Sequence, residues 1–194
     1  MSAEPLVALT TPLTDAVTRR LRVGQRVTLT GTLYTARDAA HERLANALAA
    51  GQPLPIPLEG QIIYYVGPAP AKPGAIIGPA GPTTAGRVDF FTPALLAQGL
   101  KGMVGKGKRS AAVRAAIVAH GAVYFVMVGG AAALISEHIR SVTTVAYADL
   151  GTEAIARYEV ADLPMVVAND AAGGDLYEQG QAAYQRPLPG AEAR

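Results

Sequence analysis

The chain has 194 residues, half of them hydrophobic, which fits one domain with a core of its own. It contains no cysteine, which excludes disulfides and thiolate metal ligands within the chain. Its net charge is only +2, its basic residues are dispersed and it has no tryptophan, all of which argue against nucleic acid as the main partner. No apolar run approaches the roughly 20 residues of a membrane span and no secretory signal opens the sequence, so we expect a cytoplasmic protein without a membrane partner.

The first half of the chain is predicted to form short strands joined by long loops. Alternating polar and apolar residues indicate strands, and apolar residues at helical spacing indicate a helix. The predicted elements are a polar lead-in over 1–20, a strand over 25–32, a helix over 36–50, an extended proline-rich connection over 51–60, a strand over 62–66, and a loop over 67–82 that includes a small strand over 75–77. So much loop between strands favours an irregular, β-rich half.

The second half of the chain alternates strands with short helices, which is typical of an α/β layer. Strands are predicted over 101–104, 123–128, 142–147 and 165–168, and helices over 110–120, 131–138 and 153–157. Two prolines after residue 180 oppose regular structure. We therefore expect one domain over 1–180 and a disordered tail over 181–194.

Three basic motifs flanked by glycine lie where a strand or loop is predicted to meet a helix. They span 31–41, 81–87 and 105–110. At such junctions free backbone N–H groups and the positive end of the helix dipole favour anions. Three such motifs in one domain predict a ligand with more than one negative charge.

The first two motifs carry side chains suited to a carboxylate. Arg37 and His41 are four residues apart on the predicted helix, so both can face one pocket, although His41 could equally be structural. Asp38 between them suits the positive end of the helix dipole. In the second motif Thr83 and Thr84 supply hydroxyls, and Arg87 supplies a guanidinium that can bind a carboxylate at two points. An ordinary turn with a capping threonine would explain one of the threonines, but not both together with the arginine.

The third motif matches the first seven positions of a phosphate-binding P-loop over 102–108. Arg109 stands where that loop needs a serine or threonine to bind magnesium, so nucleotide hydrolysis is disfavoured. What remains is a loop with Lys106, Lys108 and Arg109 near the start of a helix. For Lys108 we expect a solvated side chain.

Together these motifs resemble the β subunit, or C-terminal domain, of the class I iron–sulfur hydro-lyases, the fumarase and tartrate dehydratase family. The resemblance covers 9–170 and rests on the runs at 36–41, 81–87 and 106–110. It implies an α/β fold in the form of a swivelling β/β/α domain. It also implies a cysteine-bearing α subunit, or an equivalent N-terminal domain, that carries a [4Fe–4S] cluster, while this chain binds neither metal nor cofactor.

The resemblance also assigns roles to residues of this chain. The family's substrate-binding arginines correspond to Arg37 and Arg87, and its lysine corresponds to Lys106. The threonine proposed as the catalytic base in fumarases corresponds to Thr83. His41 matches a histidine regarded as catalytic in the tartrate branch, which makes it an acid/base or orienting candidate.

The function implied is that of a hydro-lyase β subunit, inactive without its α subunit, that helps to add water to fumarate. The Lys-Gly-Lys-Arg-Ser run at 106–110 resembles the fumarase branch more than the tartrate branch. L-Tartrate, mesaconate or a related dicarboxylate is the alternative substrate. Two alternatives of other classes are a non-catalytic anion- or nucleotide-binding regulatory module and a structural subunit, and the isolated chain could form a homo-oligomer.

Overall fold

The computed structural model describes residues 5–186, and this part of the chain folds into strands, α-helices and short 3₁₀ segments. The strands are β1 (Val7–Thr10), β2 (Arg26–Thr35), β3 (Ile62–Tyr64), β4 (Gly102–Gly105), β5 (Val123–Val126), β6 (Ile139–Ala146) and β7 (Ile155–Asn169). The α-helices are α1 (Asp15–Thr18), α2 (Asp38–Ala49), α3 (Thr92–Ala97), α4 (Ala111–His120), α5 (Ala132–Ser136) and α6 (Leu176–Tyr184). The 3₁₀ segments are Ala85–Val88, Gly129–Ala131 and Ala148–Glu153.

The strands form one mixed sheet that closes into a small barrel. The strand order is β1-β2-β3-β4-β5-β7-β6, and β2 also pairs with β7. Neighbours from β1 to β5 run parallel, whereas β7 runs antiparallel to β2, β5 and β6. The long strand β7 closes the ring because its residues pair with β2 on one edge and with β5 on the other. The α/β class expected from the sequence is confirmed.

Two apolar clusters bury opposite faces of the same strands. Alternate residues of a strand point to opposite faces, so Ile62 and Tyr64 pack inside the ring while Ile63 packs against the helices outside it. The outer cluster includes Leu44 of α2 and Ile117 of α4, both fully buried. Burying one such side chain contributes about 1.5–3 kcal/mol, so the two clusters fix the strands and helices relative to each other.

Three of the predicted elements are wrong. The helix over 153–157 is instead the end of a 3₁₀ segment and the start of β7. Residues 155–160 pair with β6, and residues 157–160 pair with β2 as well, so tertiary pairing overrides local helix propensity. The lead-in over 1–20 contains β1 and α1, with its prolines on either side of β1. Residues 75–77 form no strand.

The C-terminal region differs in part from the expected tail. Helix α6 continues to Tyr184, four residues beyond the predicted domain end. Its N-terminus is capped by Asp175, whose side chain accepts hydrogen bonds from the next turn of backbone. Residues 187–194 of the expected tail lie outside the described residues.

The carboxyl ends of the parallel strands β2 to β5 meet at one edge of the barrel, because parallel neighbours end on the same side. Arg37 lies two residues after the end of β2, Gly67 three residues after the end of β3, and Lys106 directly after β4. This edge of the barrel carries the candidate site.

None of the described helices is long and apolar enough to span a membrane.

Candidate active site

The second and third motifs lie side by side at this edge. The Thr83 N–H donates to the Tyr65 carbonyl at 2.8 Å, and the Lys106 N–H donates to the Thr83 carbonyl at 3.1 Å. The Ala85 N–H returns a hydrogen bond to the Lys106 carbonyl at 2.9 Å. These bonds insert the threonine segment between the ends of β3 and β4, so Thr83 and Lys106 are neighbours although they are distant in sequence.

Asp38 connects the first motif with the second. Its Oδ1 lies 3.0 Å from Nε of Arg87, and its Oδ2 lies 3.9 Å from Nη2 of Arg37. The Arg37 side chain is 19% exposed and the Arg87 side chain 55% exposed. The two predicted substrate-binding arginines therefore stand on either side of one carboxylate.

Two further residues, neither of them predicted, hold Arg37 in place. Glu153 Oε1 lies 3.5 Å from Arg37 Nη2, and Glu153 Oε2 accepts the Ala39 N–H at 3.1 Å, which caps the start of α2. A Cβ at Gly67 would overlap Arg37 Nη1 and lie 3.2 Å from its Cδ, so Gly67 leaves room for the guanidinium. Glu153 gave no signal in the sequence, whereas the position of Gly67 directly after a predicted strand did.

Thr83 and Lys106 present their functional groups differently. The half-buried Thr83 donates its hydroxyl hydrogen to the Tyr65 carbonyl at 3.0 Å, which leaves lone pairs of its oxygen free to accept a hydrogen bond. Lys106 is exposed and makes no ion pair within residues 5–186. Its stem passes over Gly129, where a Cβ would lie 3.5 Å from its Cδ.

His41 lies below this edge and not on it. The ring is fully buried, packs edge-on against Tyr65 at 5.3 Å between centroids, and places Nδ1 at 2.9 Å from the Arg37 carbonyl. Because a carbonyl only accepts hydrogen bonds, Nδ1 carries the hydrogen; Nε2 has no partner among the described residues. Burial lowers the pKa of His41 to about 4, and the nearby Arg109 charge acts in the same direction. His41 is therefore neutral at pH 7.

Arg109 supports the site from beneath. Its side chain is buried, lies 2.8 Å from the Asp89 carboxylate, and donates hydrogen bonds to the Tyr65 hydroxyl at 3.1 Å and to Thr92 Oγ1 at 2.8 Å. Its guanidinium also stacks over Tyr65 and Tyr124. Arg109 thus fixes Tyr65, whose carbonyl in turn holds Thr83.

The start of α4 is already occupied by a carboxylate of the chain itself. The Ser110 N–H donates to Asp89 Oδ2 at 2.5 Å, and Ser110 Oγ accepts the Val113 N–H at 3.4 Å. In a P-loop this helix start receives a phosphate. Asp89 fills that place here, which agrees with the prediction that the motif is not a nucleotide-hydrolysis loop.

The neighbouring loop is covered by α6. The Gly107 N–H donates to the Tyr177 hydroxyl at 3.0 Å, and Lys108 Nζ donates to Gln181 Oε1 at 3.0 Å. Lys108 is exposed, as expected. Lys106 is left as the lysine of this motif that faces the edge with Thr83.

The residues present do not fit an iron–sulfur cluster. Such a cluster is held by cysteine thiolates, and the sequence contains no cysteine. Within residues 5–186 no three His, Asp or Glu side chains come together to hold a metal ion. The groups described at this edge are cations, the Asp38 and Glu153 carboxylates, hydroxyls and backbone groups.

The comparison with protein families agrees with this arrangement. Residues 2–180 match the family model described as Fumarase C-terminus. The chain belongs to that family. The matched residues include all three basic motifs.

Relatives with fumarate hydratase names share the sequence but are much longer. Fumarate hydratase 2 of Leishmania major is 40% identical over 159 residues, which are 81% of this chain and 28% of that protein. The anaerobic class I fumarate hydratase of Escherichia coli strain K12 is also 40% identical over 159 residues, 81% of this chain and 29% of that protein. This chain thus spans less than a third of either relative.

A relative of similar length carries a different name. The "Putative L(+)-tartrate dehydratase subunit beta" of Methanocaldococcus jannaschii is 34% identical over 173 residues, which are 86% of this chain and 89% of that protein. The resemblance to the fumarase and tartrate dehydratase family is confirmed from both branches.

Proposed function

We propose that this chain is the β subunit of an iron–sulfur-dependent hydro-lyase that interconverts fumarate and malate. The observation that carries the proposal is the meeting of Arg37, Arg87, Lys106 and Thr83 at one edge of the barrel, in a chain of the Fumarase C-terminus family. Three cations beside the hydroxyl of the half-buried Thr83 suit an acid with two carboxylates.

The proposed chemistry follows from the charge that develops on the substrate. Removing the proton next to a carboxylate of malate places a second negative charge on that group. Arg37, Arg87 and Lys106 stabilise this charge more in the transition state than in the ground state, which is what accelerates the step. Thr83 Oγ1 is the candidate base: as an alkoxide, stabilised by the neighbouring cations, it would take this proton and become the hydroxyl that donates to the Tyr65 carbonyl.

For His41 we propose an orienting role. The ring is buried and bound to the Arg37 carbonyl, so in this arrangement it fixes the start of α2, from which Arg37 extends. A proton-transfer role would require His41 to reach the substrate. The buried, neutral ring supports orientation instead.

The cluster and the partner belong to the same proposal. Because this chain offers no thiolates, a [4Fe–4S] cluster would be held by a cysteine-bearing α subunit, or by an N-terminal domain in single-chain relatives. The chain alone would be inactive, and the two parts would face each other across the Lys106 edge. A swivelling arrangement of this domain and a cytoplasmic location are expected with it.

L-Tartrate is the second candidate substrate, favoured by the near full-length match to the Methanocaldococcus jannaschii protein. The Lys-Gly-Lys-Arg-Ser run at 106–110 favours fumarate. A nucleotide-binding module is disfavoured, because Asp89 occupies the helix start that a phosphate would need.

The test is Thr83→Ala and Arg87→Ala in the complex with the α subunit, assayed with fumarate, L-tartrate and mesaconate. Fumarate should give the highest kcat/KM in the wild type, and Thr83→Ala should lower kcat by roughly 100-fold or more, the usual contribution of an acid/base group. Wild-type turnover by Thr83→Ala would remove Thr83 from the mechanism. Wild-type turnover with weaker assembly in Arg87→Ala would indicate a structural subunit.

A further inference from the structure

The carboxylate of Asp38 lies between two arginines to which the proposed function assigns substrate binding. Asp38 is the first residue of α2, so a rigid helix holds it in place. Its two oxygens contact different arginines, with Oδ1 at 3.0 Å from Arg87 Nε and Oδ2 at 3.9 Å from Arg37 Nη2. The stabilisation of a carboxylate by the helix dipole explains an aspartate at this position but not its contact with Arg87.

The two arginines depend on Asp38 to different degrees. Arg37 is also held by Glu153 at 3.5 Å and by the space above Gly67. Arg87 is more exposed, and within the described residues its ion pair is with Asp38 alone. Two guanidinium groups beside one carboxylate also repel each other, and the carboxylate offsets that repulsion. Without it, Arg87 is the group free to turn towards solvent.

We propose that Asp38 is a positioning residue that holds Arg87 beside Arg37 in the orientation needed to bind a dicarboxylate. Asp38 engages the Nε edge of Arg87 and leaves its Nη donors free for a substrate carboxylate. Asp38 itself does not touch the reacting atoms. The inference rests on the proposed function, because it assumes that these arginines bind the substrate.

The test is Asp38→Asn in the full complex with the α subunit, since asparagine keeps the size and removes the charge. We expect kcat/KM for the dicarboxylate to fall roughly 10- to 100-fold, chiefly through KM, as for a misplaced binding group. Inhibition by succinate should weaken more than inhibition by butyrate, which has one carboxylate. Asp38→Glu should restore most of the loss.

Asp149→Asn is the matched control. Asp149, which is more exposed than Asp38, also pairs with an arginine, Arg43 of α2, at 2.9 and 2.5 Å, but it does not contact Arg37 or Arg87. The control should keep the kinetics of the wild type. An equal loss in both variants would overturn the proposal, because the effect would then be one of overall charge.

Three other outcomes would overturn the role of Asp38. These are an unchanged kcat/KM in Asp38→Asn, a lower KM, which would mean that Asp38 competes with the substrate, and loss of assembly, which would assign it to folding. A wild-type complex without hydratase activity would instead contradict the proposed function itself, and this is measured before any variant is compared.

Discussion

Burial sets different charge states for two basic side chains that pack against Tyr65. Arg109 lies against the Asp89 carboxylate and stays charged, as an arginine does throughout the ordinary pH range. His41 has no ion pair within the described residues, and burial lowers its pKa from 6.5 to about 4. The neutral ring thus belongs to the folded state, and protonation opposes folding.

This difference predicts a pH dependence of stability. The unfolded chain binds a proton at His41 near pH 6.5, whereas the folded chain binds it only near pH 4. The free energy of unfolding should therefore fall as the pH drops through this window, with His41 contributing a loss of about 2 kcal/mol between pH 7.5 and 5. Urea unfolding at both pH values measures it.

His41→Asn supplies the control, because asparagine does not titrate. The carboxylates and the other two histidines are common to both proteins, so the difference between their pH dependences isolates His41. The variant should lose less stability than the wild type on acidification. An equal loss in both would show that His41 is not held neutral by burial.

At the scale of elements, the loop after β3 must leave room for the side chain of Arg37, which lies two residues after β2. Replacing Gly67 by alanine would place a Cβ against Arg37 Nη1. The far end of an arginine can move, so we expect the fold to survive, the guanidinium to shift, and kcat/KM of the complex to fall roughly 10-fold or more. Steady-state kinetics and a melting curve separate the two effects.

Gly180→Ala is the matched control, since a Cβ there meets nothing within 4 Å. It should leave kcat/KM unchanged. Wild-type kinetics in Gly67→Ala would show that the placement of Arg37 does not depend on the space above Gly67.

Elements with a strong local pattern could be predicted from the sequence. The apolar run at 62–66 and the helix over 110–120 form where expected, because their side chains and the Ser110 cap encode them locally. The start of β7 could not be predicted, since residues 155–160 become a strand only by pairing with β2 and β6. Glu153 was missed as a partner of Arg37 for the same reason.

The candidate site follows the same division. Arg37, Thr83, Arg87 and Lys106 were predicted as site residues from their motifs and from the family resemblance, and their contacts lie along one edge. The residues that hold these side chains in place, such as Glu153, do so through long-range contacts that leave no local pattern in the sequence. The second motif packs between the ends of β3 and β4, and this brings motifs that are separate in sequence next to each other.

At the scale of the whole molecule, we expect the catalytic groups to be divided between this chain and a cluster-bearing partner. This chain has a core that requires no thiolate, since its two apolar clusters lie within one closed sheet and the helices around it. It spans less than a third of the fumarate hydratases to which it is similar. We therefore expect it to fold alone, with a cooperative melting transition, and to contribute cations and a hydroxyl but no cluster.

The most direct test of this division is the rate of fumarate hydration by the purified chain, by the cysteine-bearing α subunit, and by their mixture, all without oxygen. We expect turnover only in the mixture, and loss of that turnover on exposure to oxygen. Hydration of fumarate by this chain alone, with no iron present, would show that the proposed division of catalytic groups is wrong.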